Sequence, residues 1–446
     1  MRGSLVQAIR SCIIAGLLWT ASGATTSISF AAEPLVLTGA TVHTVSGRTF
    51  SPGMVLLKDG KIAEVGESVS AGGAKRVDLS GLHLYPGLIC LDSVLGLTEI
   101  ESIRGTADSE EVGEYRPDVQ SWIAVNPDSE LIPVARANGI EYFEPVPLGG
   151  IVSGQSGLVA VSGWTSEQMT AQKPIALHLF WPSLELDTTP KEKLAEKAKF
   201  KSLEDQAKER RLRTQEALEF FEQAKAYVKA NEAAASGKAK APEKVPAWEA
   251  MRPYLRGELP IVVHADEVRQ IKSMIAWAGT NQYKVILAGG RDAGMVAGLL
   301  AEKKIPVLYE QTFAVPARST ESYAVHFLTP EKLHQAGVKV VFAIGPHVFE
   351  APMVRNLPYA AAQAVAFGLP QEEALKGLTL YAAELAGVAD RLGSLEPGKL
   401  ASLFAADGDI LDLRSNVKRM WIAGEEISLE NRHTRLYEKY KNRPKP

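Results

Sequence analysis

Between residues 88 and 388, short apolar segments alternate with longer segments of helical character. The apolar segments have the length of strands and are bounded by glycine, proline or polar residues, which is typical of buried strands. Strands that alternate with helices predict parallel βα units, and at this length they predict an α/β fold with a (β/α)8 barrel of the TIM type. The predicted strands are residues 88–91, 141–146, 158–161, 175–179, 261–264, 284–287, 307–308 and 338–343.

The two ends of the chain carry a different pattern, in which short strands are separated by tight turns. Residues 35–65 alternate apolar and polar side chains, and Asp59-Gly60 supplies the positive φ values of a two-residue hairpin. A second hairpin-like pattern lies at residues 417–427. Each end alone has too few strands to bury an apolar face. We therefore predict one composite β-sandwich domain, formed by residues 33–87 and 389–446.

Residues 1–32 have the layout of a signal peptide. Arg2 and Arg10 precede an apolar stretch at residues 12–19, and small residues follow up to Ala32. The apolar stretch is too short to span a bilayer. We predict that the leader is removed, that the mature chain is periplasmic or extracellular, and that it has no transmembrane segment. The alternative is a buried first helix.

The charged residues argue against a nucleic-acid partner, and their distribution along the chain indicates a helical insertion. The 49 basic and 52 acidic side chains give a formal net charge of −3, and this balance argues against a nucleic-acid partner. Charges of both signs are dense in residues 189–245, where Thr189 to Glu192 has the form of a capping box with proline at the first helical position. We interpret this stretch as a helical insertion in the barrel, with its long helix starting there and its charges in solvent. Its packed face would hold Leu218, Phe221, Ala224 and Val228.

Two motifs resemble those of a known superfamily. Pro86-Gly87-Leu88-Ile89, followed by Asp92 and Val94, is similar to the opening barrel strand of the amidohydrolase superfamily, where that strand supplies two histidine ligands of a metal. Residues 393–399, Gly-Ser-Leu-Glu-Pro-Gly-Lys, resemble a stretch of the superfamily β-sandwich, and segments between 126 and 157 resemble the imidazolonepropionase-like branch. The resemblance implies a hydrolase acting on carbon–nitrogen bonds other than peptide bonds, with metal ligands at the carboxyl ends of barrel strands.

On that family pattern, most metal-ligand positions carry other residues. His264 holds the histidine position of the fifth strand, whereas Asp92 and Val94 stand where paired histidines are expected. A carboxylate binds a divalent metal through oxygen, but valine has no lone pair. The fourth, sixth and eighth strands lack the lysine or glutamate, the histidine and the aspartate of the pattern. We therefore predict no metal, or one weakly held divalent metal, zinc if any, at His264 and Asp92.

Three further polar residues are candidates near the barrel mouth, namely His178, Glu310 and His347. Together they could form a rearranged site. The alternatives are a core histidine at position 178, a helix or loop carboxylate at position 310 and a turn residue at position 347.

Two functions are compatible with these residues. The first is an exported amidohydrolase-related hydrolase whose degenerate metal site has reduced or lost activity. The second is a non-catalytic protein of the cell envelope, with the same fold, that binds a small molecule or a partner protein at the barrel mouth. Fold alone does not separate the two, and metal content is the property in which they first differ.

Overall fold

The computed structural model describes residues 33–100, 102–193 and 200–444. The predicted leader, residues 1–32, lies outside these ranges. The strands in the described ranges are β1 (Leu35–Val42), β2 (Phe50–Lys58), β3 (Lys61–Gly66), β4 (Lys75–Asp78), β5 (His83–Pro86), β6 (Leu88–Ser93), β7 (Ile140–Pro145), β8 (Val152–Ala160), β9 (Thr170–Phe180), β10 (Ile261–Ala265), β11 (Val285–Gly289), β12 (Val307–Tyr309), β13 (Val340–Phe342), β14 (Leu403–Ala406), β15 (Val417–Ile422) and β16 (Glu425–Ile427). The α-helices are α1 (Leu131–Arg136), α2 (Ser166–Met169), α3 (Leu203–Ala235), α4 (Pro246–Leu255), α5 (Val268–Asn281), α6 (Ala297–Glu302), α7 (Val325–Gln335), α8 (Leu357–Ala366), α9 (Gln371–Leu378), α10 (Leu380–Leu385) and α11 (Arg432–Lys441).

The two chain ends form one eight-stranded sheet, which confirms the predicted composite domain. The strand order is β16-β15-β14-β5-β1-β2-β3, and β4 pairs with β1. β14 pairs antiparallel with β5, so the carboxyl-terminal strands extend the amino-terminal ones. The predicted hairpin joins β2 to β3, with φ values of 53° at Asp59 and 74° at Gly60. Lys61 of β3 also bridges to Leu400, so the sheet folds back on its own carboxyl-terminal half.

The core of this sheet domain takes side chains from both chain ends. Leu37, Val55 and Ile62 come from the amino-terminal strands, and Leu403 and Trp421 come from the carboxyl-terminal ones. All five are buried in one apolar cluster. Neither end can therefore keep its core without the other.

β6 to β13 form a second eight-stranded sheet that follows the order of the chain. Leu91 of β6 bridges in parallel to Ala343, directly after β13, so the sheet nearly closes. This confirms the predicted barrel. Its interior is filled by one apolar cluster that includes Ile89, Leu91, Tyr142, Leu158, Val262, Ile286, Leu308 and Val341.

One strand departs from the predicted parallel arrangement. β8 runs antiparallel to both β7 and β9, whereas the other neighbouring pairs are parallel. Residues 146–151 are the whole connection from β7 to β8, and parallel pairing needs a crossover of about a dozen residues or more. The short connection therefore turns β8 back, and the prediction of uniform parallel units was wrong here.

The charged insertion contains the longest helix, α3, but the predicted start of that helix was wrong. α3 begins at Leu203, where the Ser202 side chain accepts a hydrogen bond from the backbone N–H of Asp205. Residues 194–199 lie outside the described ranges. Phe221, Ala224 and Val228 are buried on one face of α3, as predicted, and Leu218 packs beside them.

Across the described ranges, no helix combines the length and apolar character needed to cross a bilayer.

A buried carboxyl group lies where the sheet domain joins the barrel. Glu141 of β7 is fully buried, and neither of its side-chain oxygens has a hydrogen-bond partner among the described residues. Gly87 makes room for it, since a Cβ there would lie 2.2 Å from Glu141 Cδ. The Gly87 N–H donates to Ser402 O of the sheet domain at 3.2 Å. Burial raises the pKa of Glu141 well above its ordinary value, so this side chain is a neutral acid over a wide pH range.

Candidate metal centre

Three side chains converge inside the barrel at the carboxyl ends of its strands. Asp92 lies on β6, His178 on β9 and His264 on β10. One ligand atom from each lies within 4.8 Å of the other two. His178 Nδ1 is 3.0 Å from His264 Nε2, and His264 Nδ1 is 4.0 Å from Asp92 Oδ2. This carboxylate and these two imidazoles form the candidate metal centre.

A bulge in β6 directs the Asp92 side chain to this cluster. The pairing of β6 with β7 shifts register between Cys90 and Ser93, and Asp92 adopts a φ of 59°, in the left-handed region. Leu91 already faces the barrel interior, so regular alternation would point the next side chain outward. The bulge adds a residue and re-aims Asp92 inward, which is a common use of bulges beside functional sites.

Glu144, on β7, fixes the orientation of His178. Glu144 Oε1 is 3.2 Å from His178 Nε2 and accepts a hydrogen bond from Ser156 Oγ at 2.5 Å. Glu144 Oε2 accepts a third bond from the backbone N–H of Asp92 at 3.0 Å. Burial favours the neutral acid, but the hydrogen bonds from His178 and Ser156 hold the pKa of Glu144 below its ordinary value. A charged Glu144 keeps the proton of His178 on Nε2 and leaves a lone pair on Nδ1.

His264 is held as a neutral ring. Phe180 stacks on it with ring centroids 4.0 Å apart and an interplanar angle of 6°. Burial, and then the neighbouring His178, lower the pKa of His264 well below its ordinary value. A neutral imidazole has a free lone pair, which is the form that binds a metal.

The carboxyl groups of Asp92 and Glu310 lie beside these rings. Burial raises the pKa of Asp92 well above its ordinary value, and the charge of Glu310 raises it further. Burial also raises the pKa of Glu310. Asp92 is fully buried, and neither of its oxygens has a hydrogen-bond partner among the described residues. A buried carboxylate is costly unless a cation or a proton compensates it.

These residues fit a divalent metal. Catalytic zinc sites use three protein ligands drawn from histidine nitrogen and carboxylate oxygen and leave one position open. Here the donors are the unpartnered Asp92 oxygens and the lone pairs of His178 and His264. The hydrogen bond from His178 to Glu144 is the outer contact that metal-binding histidines commonly have.

Two glycines stand at strand ends of the barrel where the sequence resemblance led us to expect ligands. A Cβ at Gly289, the end of β11, would lie 2.8 Å from Asp266 Oδ1. A Cβ at Gly345, after β13, would lie 2.8 Å from Glu310 Oε2. The carboxyl groups of Asp266 and Glu310 therefore occupy the space next to these two glycines.

A cleft of about 580 Å³ opens at this end of the barrel and is lined by Glu310, Gly345 and His347 among others. A larger cavity, of about 780 Å³, lies at the opposite end, where Lys284 and Lys339 precede β11 and β13. Functional groups of βα barrels gather at the carboxyl ends of the strands, and the candidate metal centre lies there. We therefore assign the smaller cleft to the site.

Four of the five predicted site residues lie in or beside the candidate metal centre, and the fifth lies apart from it. Asp92 and His264 lie close together, and His178, for which a core role was the alternative, lies beside them. Glu310 adjoins Asp92. His347 lies apart in the cleft, where its Nδ1 accepts a hydrogen bond from the backbone N–H of Phe349 at 3.3 Å, as a turn residue would.

Sequence reasoning missed Glu144 and Ser156. Glu144 was inside the predicted strand 141–146, two positions after the inward-facing Tyr142. A charged side chain on the inner face of an otherwise apolar strand was the available signal. Ser156 had no such signal, because only the last three residues of β8 were predicted as strand.

Comparison with known proteins identifies the family of this chain. The sequence profile of the Amidohydrolase family matches residues 166–427, more than half of the chain. The chain belongs to the amidohydrolase family. An amidohydrolase from Thermotoga maritima has a similar structure, with 27% sequence identity, a TM-score of 0.75, and coverage of 88% of this chain and 99% of that one.

More distant amidohydrolase-like structures share the fold alone. Molinate hydrolase is 14% identical, with a TM-score of 0.51 and coverage of 90% of this chain and 96% of its own. Phenylurea hydrolase B is also 14% identical, with a TM-score of 0.51 and coverage of 89% and 97%. The comparison with curated proteins returned no match.

Proposed function

We propose that this amidohydrolase is an exported hydrolase of carbon–nitrogen bonds other than peptide bonds. We propose further that it uses a single, weakly held divalent metal, and that this metal is zinc. The observation that carries the proposal is the fully buried Asp92 carboxyl, whose two oxygens have no hydrogen-bond partner among the described residues and which lies beside His178 and His264.

The proposed chemistry divides simply among the residues. A divalent metal in such a site acts as a Lewis acid that polarises the scissile carbonyl. Asp92, His178 and His264 would hold it, and Glu144 would keep the Nδ1 lone pair of His178 free by accepting the Nε2 proton. Glu310 lines the cleft beside Asp92 and is the carboxyl group placed to accept a proton from an attacking water.

Weak binding is proposed because the donor set is small. Val94, at one family ligand position, is fully buried in the apolar core. The last residue of β11 and a residue shortly after β13 are glycines, which have no side chain to bind a metal. Metal affinity depends on ligand number, geometry and outer contacts, so three donors should hold zinc less tightly than a complete family site.

The same substitutions favour a second candidate function, a non-catalytic binding protein of the cell envelope. In that case the candidate metal centre would be a remnant, and the cleft alone would be functional. The two candidates differ in metal content and in hydrolysis.

Elemental analysis and hydrolysis assays test the proposal together. We expect less than one zinc per wild-type chain after dialysis against a mild chelator and about one in excess zinc. His264→Ala should take up no zinc in the site and should reduce hydrolysis of a cyclic amide such as hydantoin at least about a hundredfold. His433→Ala, which removes an exposed histidine on α11, is the matched control and should behave as wild type.

Each alternative result has a clear meaning. Two tightly held metals per wild-type chain would show a complete binuclear site and overturn the single-metal proposal. Absence of both zinc uptake and hydrolysis would replace it with the binding function.

Export is tested separately. Amino-terminal sequencing of the protein from its native host should give a mature chain that begins near Glu33. Recovery of an intact Met1 on a cytoplasmic protein would contradict export.

A further inference from the structure

The cleft beside the candidate metal centre combines carboxylates with exposed apolar side chains. Glu310 and Glu350 both line it. Phe313 and Met353 line it as well and are 58% and 41% exposed. A concave site with apolar walls and a few polar groups is the usual form of a small-molecule site.

Within the described ranges, the two carboxyl groups have no basic side chain as a counter-ion. Among the residues that line the cleft there is no lysine or arginine. Neither Glu310 nor Glu350 takes part in an ion pair among the described residues. Two carboxylates that face the same cleft repel each other, and a bound cation would remove this repulsion.

A second observation points in the same direction. Asp92 is fully buried, and both of its oxygens lack hydrogen-bond partners among the described residues. It lies beside Glu310, which lines the cleft. The acidic character therefore continues from the cleft into the barrel, and a positive charge would be stabilised along this path.

We propose that the cleft binds a small organic cation, a primary amine joined to an apolar body, with the ammonium group at Glu310 and Glu350 and the apolar body against Phe313 and Met353. An ammonium group has three donors and no acceptor, which matches carboxylates that only accept. An anionic ligand would be repelled. This inference rests on the site of the proposed function and names its substrate class, but binding can be measured without catalysis.

Calorimetric titration of the metal-free wild-type protein tests the proposal with three probes of similar size. Benzylamine should bind about fivefold more tightly than benzyl alcohol, since one partly exposed ion pair contributes about 1 kcal/mol. Phenylacetate should bind more weakly than either. Glu350→Gln should remove most of the preference for the amine, whereas Glu204→Gln, an exposed site on α3, should retain it. Met353→Ala should weaken the amine and the alcohol alike.

Three binding results would count against the proposal. Equal or tighter binding of the alcohol or the carboxylate overturns it, as does an unchanged amine preference in Glu350→Gln or the absence of binding by all three probes. Amine binding without zinc uptake would end the proposed hydrolase and leave the cation site. Zinc uptake and hydrolysis without amine preference would end the cation site and leave the proposed hydrolase.

Discussion

Trp421→Ala should lower the free energy of unfolding of the sheet domain by about 3–5 kcal/mol. Trp421 lies on β15, is fully buried and packs in the cluster that also holds Val55 and Ile62 of the amino-terminal strands. Its removal leaves a cavity that the neighbouring strands can close only in part. Chemical denaturation followed by amide exchange measures the loss.

The location of the effect tests the composite domain. Amide protection should fall at Val55 and Leu57 of β2, although these residues lie far from Trp421 in the sequence. Leu413→Ala is the matched control, because Leu413 is 76% exposed and its truncation should cost little. Full protection of β2 in the Trp421→Ala variant would mean that the amino-terminal strands hold a core of their own.

Glu141→Gln should remove a large pH dependence of stability. The pKa of Glu141 is raised by burial above its ordinary value of 4.5. Stability from the neutral acid is therefore fully present below about pH 4.5 and declines as the pH rises toward the folded-state pKa, because only the unfolded chain then releases the proton. Each pH unit in this window costs about 1.4 kcal/mol. Above about pH 4.5, wild type should therefore lose stability relative to the variant as the pH rises.

Urea denaturation of both proteins across this pH range gives the difference directly. Other buried acids such as Asp92 are present in both proteins, so their contribution cancels. Glu204→Gln, an exposed substitution, should follow wild type at every pH. Parallel stability curves for wild type and Glu141→Gln would show that Glu141 finds a proton donor or a cation in solution and is already charged.

The fold was predictable where a local rule was strong. Asp59-Gly60 marked the hairpin because few residue pairs adopt two positive φ values at low cost. Each of the eight apolar segments between residues 88 and 343 corresponds to a barrel strand. His264 was also accessible, because alternation along 261–264 places it on the same face as Val262, inside the barrel.

The other features depend on strand pairing and on contacts between distant residues, which the pattern of residues along the sequence does not show. The reversal of β8 follows from the short 146–151 connection, which pattern reading had not assigned to a strand pair. The inward turn of Asp92 depends on a register shift against β7. His178 gained its role only through Glu144, which is 34 positions away in the chain and 3.2 Å away in space.

The bulge at Asp92 has an evolutionary consequence. Because the extra residue in β6 sets which way the carboxyl group points, loss of a single codon before position 92 would turn the acid away while every chemical group of the site stayed in the gene. A site of this kind can be gained or lost by a change of strand length, without any exchange of one ligand for another.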